Sequence, residues 1–186
     1  MRSYQITEWS HELFRLQVKP GGTYIDATMG NGHDTQFLCE LAGETGKVLA
    51  FDIQEQALET TEKRLLEAGL RERAGLVLDS HIHMENYVEA ETVDGIYFNF
   101  GYLPGGKHEL ATKADTSVLA VESGLKLLKK GGVMALCIYS GGDTGFEEKD
   151  RILEFLKNLD SRKYIVNQYY NRENNPPIPA FVVKKG

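Results

Sequence analysis

Short apolar segments alternate with helical patterns along almost the whole chain. The predicted strands are Thr23–Asp26, Lys47–Asp52, Gly75–Leu78, Val93–Asn99 and Val133–Tyr139, and the predicted helices are His33–Ala42, Gln54–Ala68, Thr116–Leu128 and Glu147–Leu159. The sequence Lys129-Lys130-Gly131-Gly132 is typical of a helix end, where cations are followed by glycine. Repeated strand–helix units predict a parallel sheet with helices packed against it.

The end of the chain departs from this alternation. Two further predicted strands, Tyr164–Tyr170 and Ala180–Lys184, are joined by a segment that contains no helical pattern. Because parallel strands need a long crossover connection, these two strands should pair antiparallel. The predicted fold is α/β and Rossmann-like, with a seven-stranded, mostly parallel sheet and an antiparallel last strand. Class I methyltransferases dependent on S-adenosylmethionine (SAM) have this strand inventory, although strand–helix repeats alone equally suit a dehydrogenase or a flavodoxin-like protein.

Size and composition predict one globular domain spanning residues 1–186. Hydrophobic residues make up 41% of the chain, as in ordinary globular proteins. Because no apolar run is long enough for a membrane span and no signal-peptide core follows Met1, we expect a cytoplasmic protein. Cys39 and Cys137 lie in apolar segments and are predicted to be buried, reduced thiols. The net charge of −6 argues against a general nucleic-acid binder but leaves local recognition of a folded RNA open.

A glycine-containing loop, Asp26–Gly32, connects the first predicted strand to the first predicted helix. Gly30 and Gly32 would let the backbone approach a ligand, and the N-terminus of the helix could bind a carboxylate. A dinucleotide fingerprint would place a third glycine at position 35, next to the pyrophosphate, but the chain has Thr35. SAM has no pyrophosphate, so this departure favours SAM over NAD. Asp26 would accept hydrogen bonds from the ammonium group of SAM, directly or through water. The predicted SAM-binding residues of this loop and of the start of the helix are Asp26, Thr28, Gly30, Asn31, Gly32, His33 and Asp34.

Polar residues also follow the second and third predicted strands. Asp52 is placed to bind two ribose hydroxyls, and Gln54 could lie along the adenine ring. The segment Asp79-Ser80-His81 is placed to meet the adenine edge. Each of these residues could instead serve as a helix cap, but their occurrence at successive strand ends favours an adenosine-containing ligand.

The fourth predicted strand ends in the segment Asn99–Gly106. In open α/β sheets, ligands bind at the carboxyl ends of strands, so this segment should face the same crevice as the glycine loop. It resembles the (Asp/Asn)-Pro-Pro-(Tyr/Phe) element of enzymes that methylate amines, with Phe100-Gly101 in place of Pro-Pro. By this resemblance, Asn99 and Tyr102 would be catalytic: Asn99 would accept a hydrogen from the target amine and Tyr102 would pack against the target base. Asn99 is also a predicted SAM-binding residue. The alternative interpretation is an ordinary turn with a solvent-facing tyrosine.

Other polar clusters are less informative. His81 and His83 could share one face of an extended segment, but no carboxylate or cysteine pattern completes a metal site, and no metal is predicted. Lys107, His108 and Lys113 flank the Asn99–Gly106 segment and could contact a phosphate.

Several motifs together resemble the YtqB-like family of small bacterial methyltransferases, also called MnmM. The motifs are Asp26–Thr35, Ala50–Gln54, Asp79–His81, Phe98–Gly106 and Asn174–Pro177. The family usually has leucine where this chain has Phe100, and a Gly-His-rich form of the segment Tyr139–Gly145.

The resemblance implies methyl transfer from SAM to the aminomethyl nitrogen of 5-aminomethyl-2-thiouridine at the tRNA wobble position. It also implies tRNA, through its anticodon region, as the partner, with Gly101, Tyr102, Lys107 and Arg172 as substrate-binding residues and Tyr169 or Tyr170 as further stacking candidates. The alternatives are an rRNA or small-amine methyltransferase and a non-catalytic SAM-binding module. A chain of this size would hold tRNA with its own loops or across a dimer, so we expect a homodimer.

Overall fold

A computed structural model of the chain describes residues 5–100, 114–140, 145–170 and 177–186. These residues form a seven-stranded sheet with helices on both faces. The strands are β1 (Thr23–Asp26), β2 (Lys47–Asp52), β3 (Ala74–Leu78), β4 (Val93–Phe100), β5 (Leu128–Ile138), β6 (Tyr164–Gln168) and β7 (Ile178–Lys184). The α-helices are α1 (Ile6–Gln17), α2 (His33–Ala42), α3 (Glu55–Glu67), α4 (Ala114–Leu127) and α5 (Gly145–Lys157), and Arg71–Arg73 and His81–Asn86 form short 3₁₀ helices.

The sheet has the strand order β3-β2-β1-β4-β5-β7-β6. The first five strands run parallel, and β7 pairs antiparallel with both β5 and β6. The predicted fold class and the predicted antiparallel pairing of the last two strands are therefore confirmed.

Each face of the sheet carries its own apolar core, because successive side chains of a strand point to opposite faces. In β4, Ile96 and Phe98 belong to the core shared with α4 and α5, whereas Tyr97 belongs to the core shared with α1, α2 and α3. Cys39 and Cys137 lie in the second core as free, buried thiols, as predicted. Burial raises the pKa of Cys39 to about 12 and that of Cys137 to about 11.

Helix α1 was not predicted from the sequence. It packs against β5 and buries Phe14 completely. The ring of Phe14 meets the rings of Tyr24, Phe37 and Tyr97 edge-on. Gly95 makes room for it, since a Cβ there would lie only 2.5 Å from Cζ of Phe14. This packing fixes the position of α1 against the sheet, next to the start of α2.

The predicted boundary between α4 and β5 is wrong. The helix ends at Leu127, and β5 begins at Leu128 rather than at Val133. The segment Lys129–Gly132 is a bulge within the strand, because the β4–β5 register changes from Val93–Leu128 to Gly95–Val133. Gly131 has a φ of 79°, a backbone conformation that favours glycine. The two glycines therefore serve the bulge rather than a helix end.

Candidate active site

The predicted site residues meet at the carboxyl ends of four adjacent strands, β3, β2, β1 and β4. Strand β1 ends at Asp26, whose register partners are Ala50 in β2 and Tyr97 in β4. Strands β2 and β4 continue beyond these partners, so Asp52 lies two residues past Ala50 and Asn99 two residues past Tyr97. Strand β1 ends before its neighbours, so the ligand crevice expected at the carboxyl ends of the strands in an open α/β sheet would lie above its end.

The glycine loop leaves the end of β1 in a conformation that depends on its glycines. Gly30 and Gly32 have φ values of 51° and 76°, in the left-handed region. A Cβ at Gly32 would also lie 2.6 Å from Oγ1 of Thr61 in α3. Both the backbone angle and the close approach of α3 therefore require glycine at position 32.

Helix α3 holds the outer side of the loop through two side chains that were not predicted as site residues. Oγ1 of Thr61 donates a hydrogen bond to the carbonyl of Gly30 at 3.2 Å, and Nε of Arg64 donates to the carbonyl of Asn31 at 2.8 Å. Nη2 of Arg64 also lies 3.1 Å from Nε2 of His33. Burial, and then the charge of Arg64, lowers the pKa of His33, so its neutral ring accepts this hydrogen bond.

The side chain of Asp26 connects the start of the glycine loop to helix α2. Its carboxylate is fully buried and accepts hydrogen bonds from the backbone N–H of Thr28 at 3.1 Å and from Oγ1 of Thr35 at 2.6 Å. Burial, and then the nearby charge of Asp34, raises the pKa of Asp26 to about 7. Thr35, which replaces the third glycine of a dinucleotide fingerprint, thus has a structural partner of its own.

Asp52 joins the loop to the end of β2. Its two carboxylate oxygens accept hydrogen bonds from the backbone N–H groups of Gly30 and Gln54, each at 3.0 Å. A carboxylate has acceptor sites for about four hydrogen bonds, so about two more could be accepted from a ribose diol. The side chain is only partly buried, which fits a ribose approaching from the crevice.

Asn99 is fixed by contacts of both its backbone and its side chain. Its backbone N–H donates to Oγ1 of Thr28 at 2.7 Å, and its side-chain Nδ2 donates to Oδ2 of Asp34 at 3.1 Å. An ionised carboxylate only accepts hydrogen bonds, so the amide nitrogen must face Asp34 and Oδ1 must point elsewhere. The other oxygen of Asp34 lies 2.6 Å from Nε2 of His11 in α1. His11 is a part of this site that no sequence motif indicated.

The residues after β3 mainly stabilise their own turn. The carboxylate of Asp79 accepts from Nδ1 of His83 at 2.8 Å and from the hydroxyl of Tyr87 at 2.9 Å, while Ser80 caps the following 3₁₀ helix. His81 is buried, and its Nδ1 lies 3.0 Å from the carbonyl of Ala27. Burial lowers the pKa of His81, so its neutral ring donates to that carbonyl and braces the glycine loop. The contact of Asp79, Ser80 and His81 with adenine stays a prediction.

Part of the predicted site lies outside the described residues. This applies to Gly101, Tyr102, Lys107 and Arg172, to the flanking His108 and Lys113, and to most of the glycine stretch before α5. The predicted SAM-binding residues are all described and lie at or just after the carboxyl ends of β1, β2, β3 and β4, whereas Tyr169 and Tyr170 follow β6.

Comparisons with known proteins identify the family. A family model described as "Putative rRNA methylase" matches residues 48–183. The chain belongs to this family. The methylase is also 34% identical over 185 residues to "tRNA (mnm(5)s(2)U34)-methyltransferase, chloroplastic" of Arabidopsis thaliana, an alignment that covers 95% of the chain and 67% of that protein.

Two solved structures are similar to the methylase over nearly their whole length. One is from Clostridium thermocellum and is described as a "putative rRNA-methylase"; it has 41% sequence identity and a TM-score of 0.93, and the match covers 99% of this chain and 100% of that one. The other, a "putative methyltransferase" from Streptococcus mutans, was solved in complex with SAH. It has 35% identity and a TM-score of 0.85, and the match covers 98% of this chain and 99% of that one.

These findings confirm the predicted family, the predicted enzyme class of SAM-dependent methyltransferase and SAM as the cofactor. Within the described ranges of the methylase, no cluster of three or more histidine, cysteine or acidic side chains is arranged to hold a metal ion. None of its described helices combines the length and apolarity needed to cross a membrane.

Proposed function

We propose that this methylase transfers a methyl group from SAM to the aminomethyl nitrogen of 5-aminomethyl-2-thiouridine, at the wobble position of cytoplasmic tRNA. The name of the Arabidopsis thaliana relative supports this substrate, because it describes a methyltransferase for the same class of nucleotide. The family description, which refers to rRNA, favours an rRNA substrate as the second candidate. The amide oxygen of Asn99 could accept a hydrogen from a target amine in either RNA.

The observation that carries the proposal is the orientation of the Asn99 amide. Its nitrogen donates to Asp34, so its Oδ1 points away from that carboxylate and would accept a hydrogen from an incoming amine. An amine held in this way can direct its lone pair toward a methyl group bound in the crevice. Positioning of this kind is a large part of catalysis when the cofactor already carries a good leaving group.

The glycine loop and its neighbours would hold the cofactor. When bound, SAM supplies a methyl group on a positively charged sulfur. Asp52 would accept hydrogen bonds from the ribose hydroxyls, and the N–H groups of the first turn of α2, which begins at His33, would bind the methionine carboxylate. Asp26 lies beneath the loop, so we propose that it acts on the ammonium group through water or through the loop backbone. Gln54, Asp79, Ser80 and His81 remain the candidates for adenine.

The target amine must be neutral when it attacks. His33 and Asp34, two titratable side chains at the start of α2, are the candidates for a proton acceptor. In the structure the ring of His33 faces Arg64, and both oxygens of Asp34 accept hydrogen bonds, from His11 and Asn99. We therefore assign Asp34 to orienting Asn99 and propose that the amine loses its proton to water before transfer.

RNA recognition would involve the residues predicted from the sequence. We propose that Gly101 and Tyr102 contact the target base and that Lys107 and Arg172 contact the anticodon backbone, with a homodimer providing additional surface. Static light scattering tests the dimer directly, because a monomer mass at micromolar protein concentration would contradict it.

Nucleoside mass spectrometry tests the substrate. Purified methylase and SAM are incubated separately with tRNA that carries 5-aminomethyl-2-thiouridine and with rRNA from the same cells. We expect one added methyl group on the wobble nucleoside and none in rRNA. Methylation confined to rRNA would favour the second candidate. SAM binding without transfer to either RNA would favour the remaining alternative, a small-amine substrate.

A further inference from the structure

We infer that His11, on helix α1, is a positioning residue for methyl transfer that acts on Asn99 through Asp34. Nε2 of His11 lies 2.6 Å from Oδ1 of Asp34, and Oδ2 of Asp34 accepts from Nδ2 of Asn99 at 3.1 Å. The three side chains form one hydrogen-bonded chain across α1, α2 and β4. This inference rests on the proposed function in one respect, namely that Asn99 binds the reacting amine.

The ring of His11 is held in place by aromatic packing. It stacks on Phe37 with ring centroids 3.9 Å apart and an interplanar angle of 2°, and it meets the ring of Tyr97 at 5.2 Å and 66°. Its partner accepts only, so the Nε2 of His11 must carry the proton and donate it to the hydrogen bond. The imidazole therefore presents a fixed donor to Asp34.

A fixed donor matters because an aspartate carboxylate rotates easily about its last side-chain bond. With His11 present, one oxygen of Asp34 is occupied, and the plane of the carboxylate is set for Asn99. The side chains of His11 and Asp34 are 19% and 10% exposed, so little water is available to replace a lost partner. Without the donor, Asp34 can turn, and the amide of Asn99 loses the contact that directs its oxygen.

Two substitutions separate the hydrogen bond from the packing. His11→Phe keeps an aromatic ring on Phe37 but removes the donor. His11→Gln keeps a donor near the position of Nε2 but removes the ring. Glu12→Gln is the control, since Glu12 is an exposed neighbour on the same helix whose carboxylate lies 3.8 Å from Nε of Arg15.

We expect His11→Phe to lower kcat by about 10- to 100-fold, as small misplacements of reacting groups do, while the KM for SAM changes little. His11→Gln should retain kcat within about 3-fold, since it keeps a charge-assisted hydrogen bond to Asp34. Glu12→Gln should behave as the wild type. An unchanged kcat in His11→Phe would overturn the inference. Equal losses in His11→Phe and His11→Gln would also overturn it, because they would point to the imidazole itself.

A second measurement does not depend on the substrate. The side-chain amide signals of Asn99 in ¹⁵N–¹H NMR spectra should shift in His11→Phe and stay close to the wild type in Glu12→Gln. If the wild-type enzyme fails to methylate tRNA, the proposed substrate is wrong, but this test still applies. Unshifted Asn99 signals in His11→Phe would contradict the positioning role whatever the substrate is.

Discussion

Thr35 donates a hydrogen bond from Oγ1 to Oδ2 of Asp26 at 2.6 Å, and both side chains are fully buried. Thr35 stands where a dinucleotide-binding loop has its third glycine. In this chain the position carries a side chain that satisfies the buried carboxylate beneath the glycine loop. The departure from the dinucleotide fingerprint is thus part of how this loop is built.

The buried position of Asp26 predicts an unusual dependence of stability on pH. Its pKa is raised from 3.8 to about 7 in the folded protein, mainly by burial. Between these values the folded state holds a proton that the unfolded state has lost. The contribution of Asp26 to the free energy of unfolding should therefore fall as pH rises from about 4 to about 7, by at most about 1.4 kcal/mol per pH unit, and level off above that.

Urea unfolding across this pH range measures the effect as the difference in the free energy of unfolding between the wild type and Asp26→Asn. Asp160→Asn is the control, because Asp160 is only partly buried and its hydrogen bond with Arg162 lowers its pKa. Its difference from the wild type should stay flat between about pH 5 and pH 8. A wild-type advantage over Asp26→Asn that grows with pH would contradict a raised pKa for Asp26.

Asn99 is predicted to act mainly in catalysis and to contribute little to the affinity for SAM. Asn99→Ala removes the amide oxygen that would hold the amine, and we expect kcat to fall by about 100-fold or more. The dissociation constant for SAM, measured by calorimetry, should change by less than about 3-fold, since the loop contacts made by Asp52 and Arg64 remain. Retained turnover in Asn99→Ala would exclude the assigned role.

The sequence was sufficient to predict the sheet and the strand ends that form the site. Buried strands and amphipathic helices leave a periodic pattern, and the carboxyl ends of neighbouring parallel strands necessarily meet. Asp26, Asp52 and Asn99 could therefore be assigned to one edge of the sheet from their positions along the chain. The bulge at Gly131 was missed because glycine after lysine is also typical of a helix end.

The contact between His11 and Asp34 had no comparable sequence signal. The two residues are separated by 23 positions, and their distance depends on how α1 docks on the sheet. That docking is determined by Phe14 fitting over Gly95, a three-dimensional fit that residue spacing does not reveal. Thr61 and Arg64 were missed for the same reason, since they reach the glycine loop only when α3 packs beside it.

Arg64 is predicted to lower the pKa of His33. Burial is the larger cause of this shift and the charge of Arg64 the next. Arg64→Gln should therefore raise the pKa of His33 toward its ordinary value of about 6.5, without restoring it fully where burial persists. Lys63→Gln is the matched control, because Lys63 is exposed and pairs with Glu67. Titration of the His33 ring signals by NMR measures the change, and an unchanged pKa in Arg64→Gln would contradict it.

Gly32 is predicted to be essential for the shape of the SAM-binding loop. Alanine at this position would adopt a φ of 76°, which costs about 1–2 kcal/mol for a residue with a Cβ. The Cβ would also lie 2.6 Å from Oγ1 of Thr61, so either the loop or α3 must move. We expect Gly32→Ala to lower the free energy of unfolding and to weaken SAM binding.

Gly69 provides the matched control for this substitution. It has a φ of 69° at the end of α3, and apart from its chain neighbours no atom of the described residues lies within 4 Å of a Cβ built there. Gly69→Ala should therefore show the backbone strain alone and leave SAM binding intact. Urea unfolding of both variants should show a larger loss for Gly32→Ala, by about 1 kcal/mol or more. Equal losses, with SAM affinity unchanged in both, would mean that the loop tolerates a side chain at position 32 and that its contact with α3 does not fix the loop.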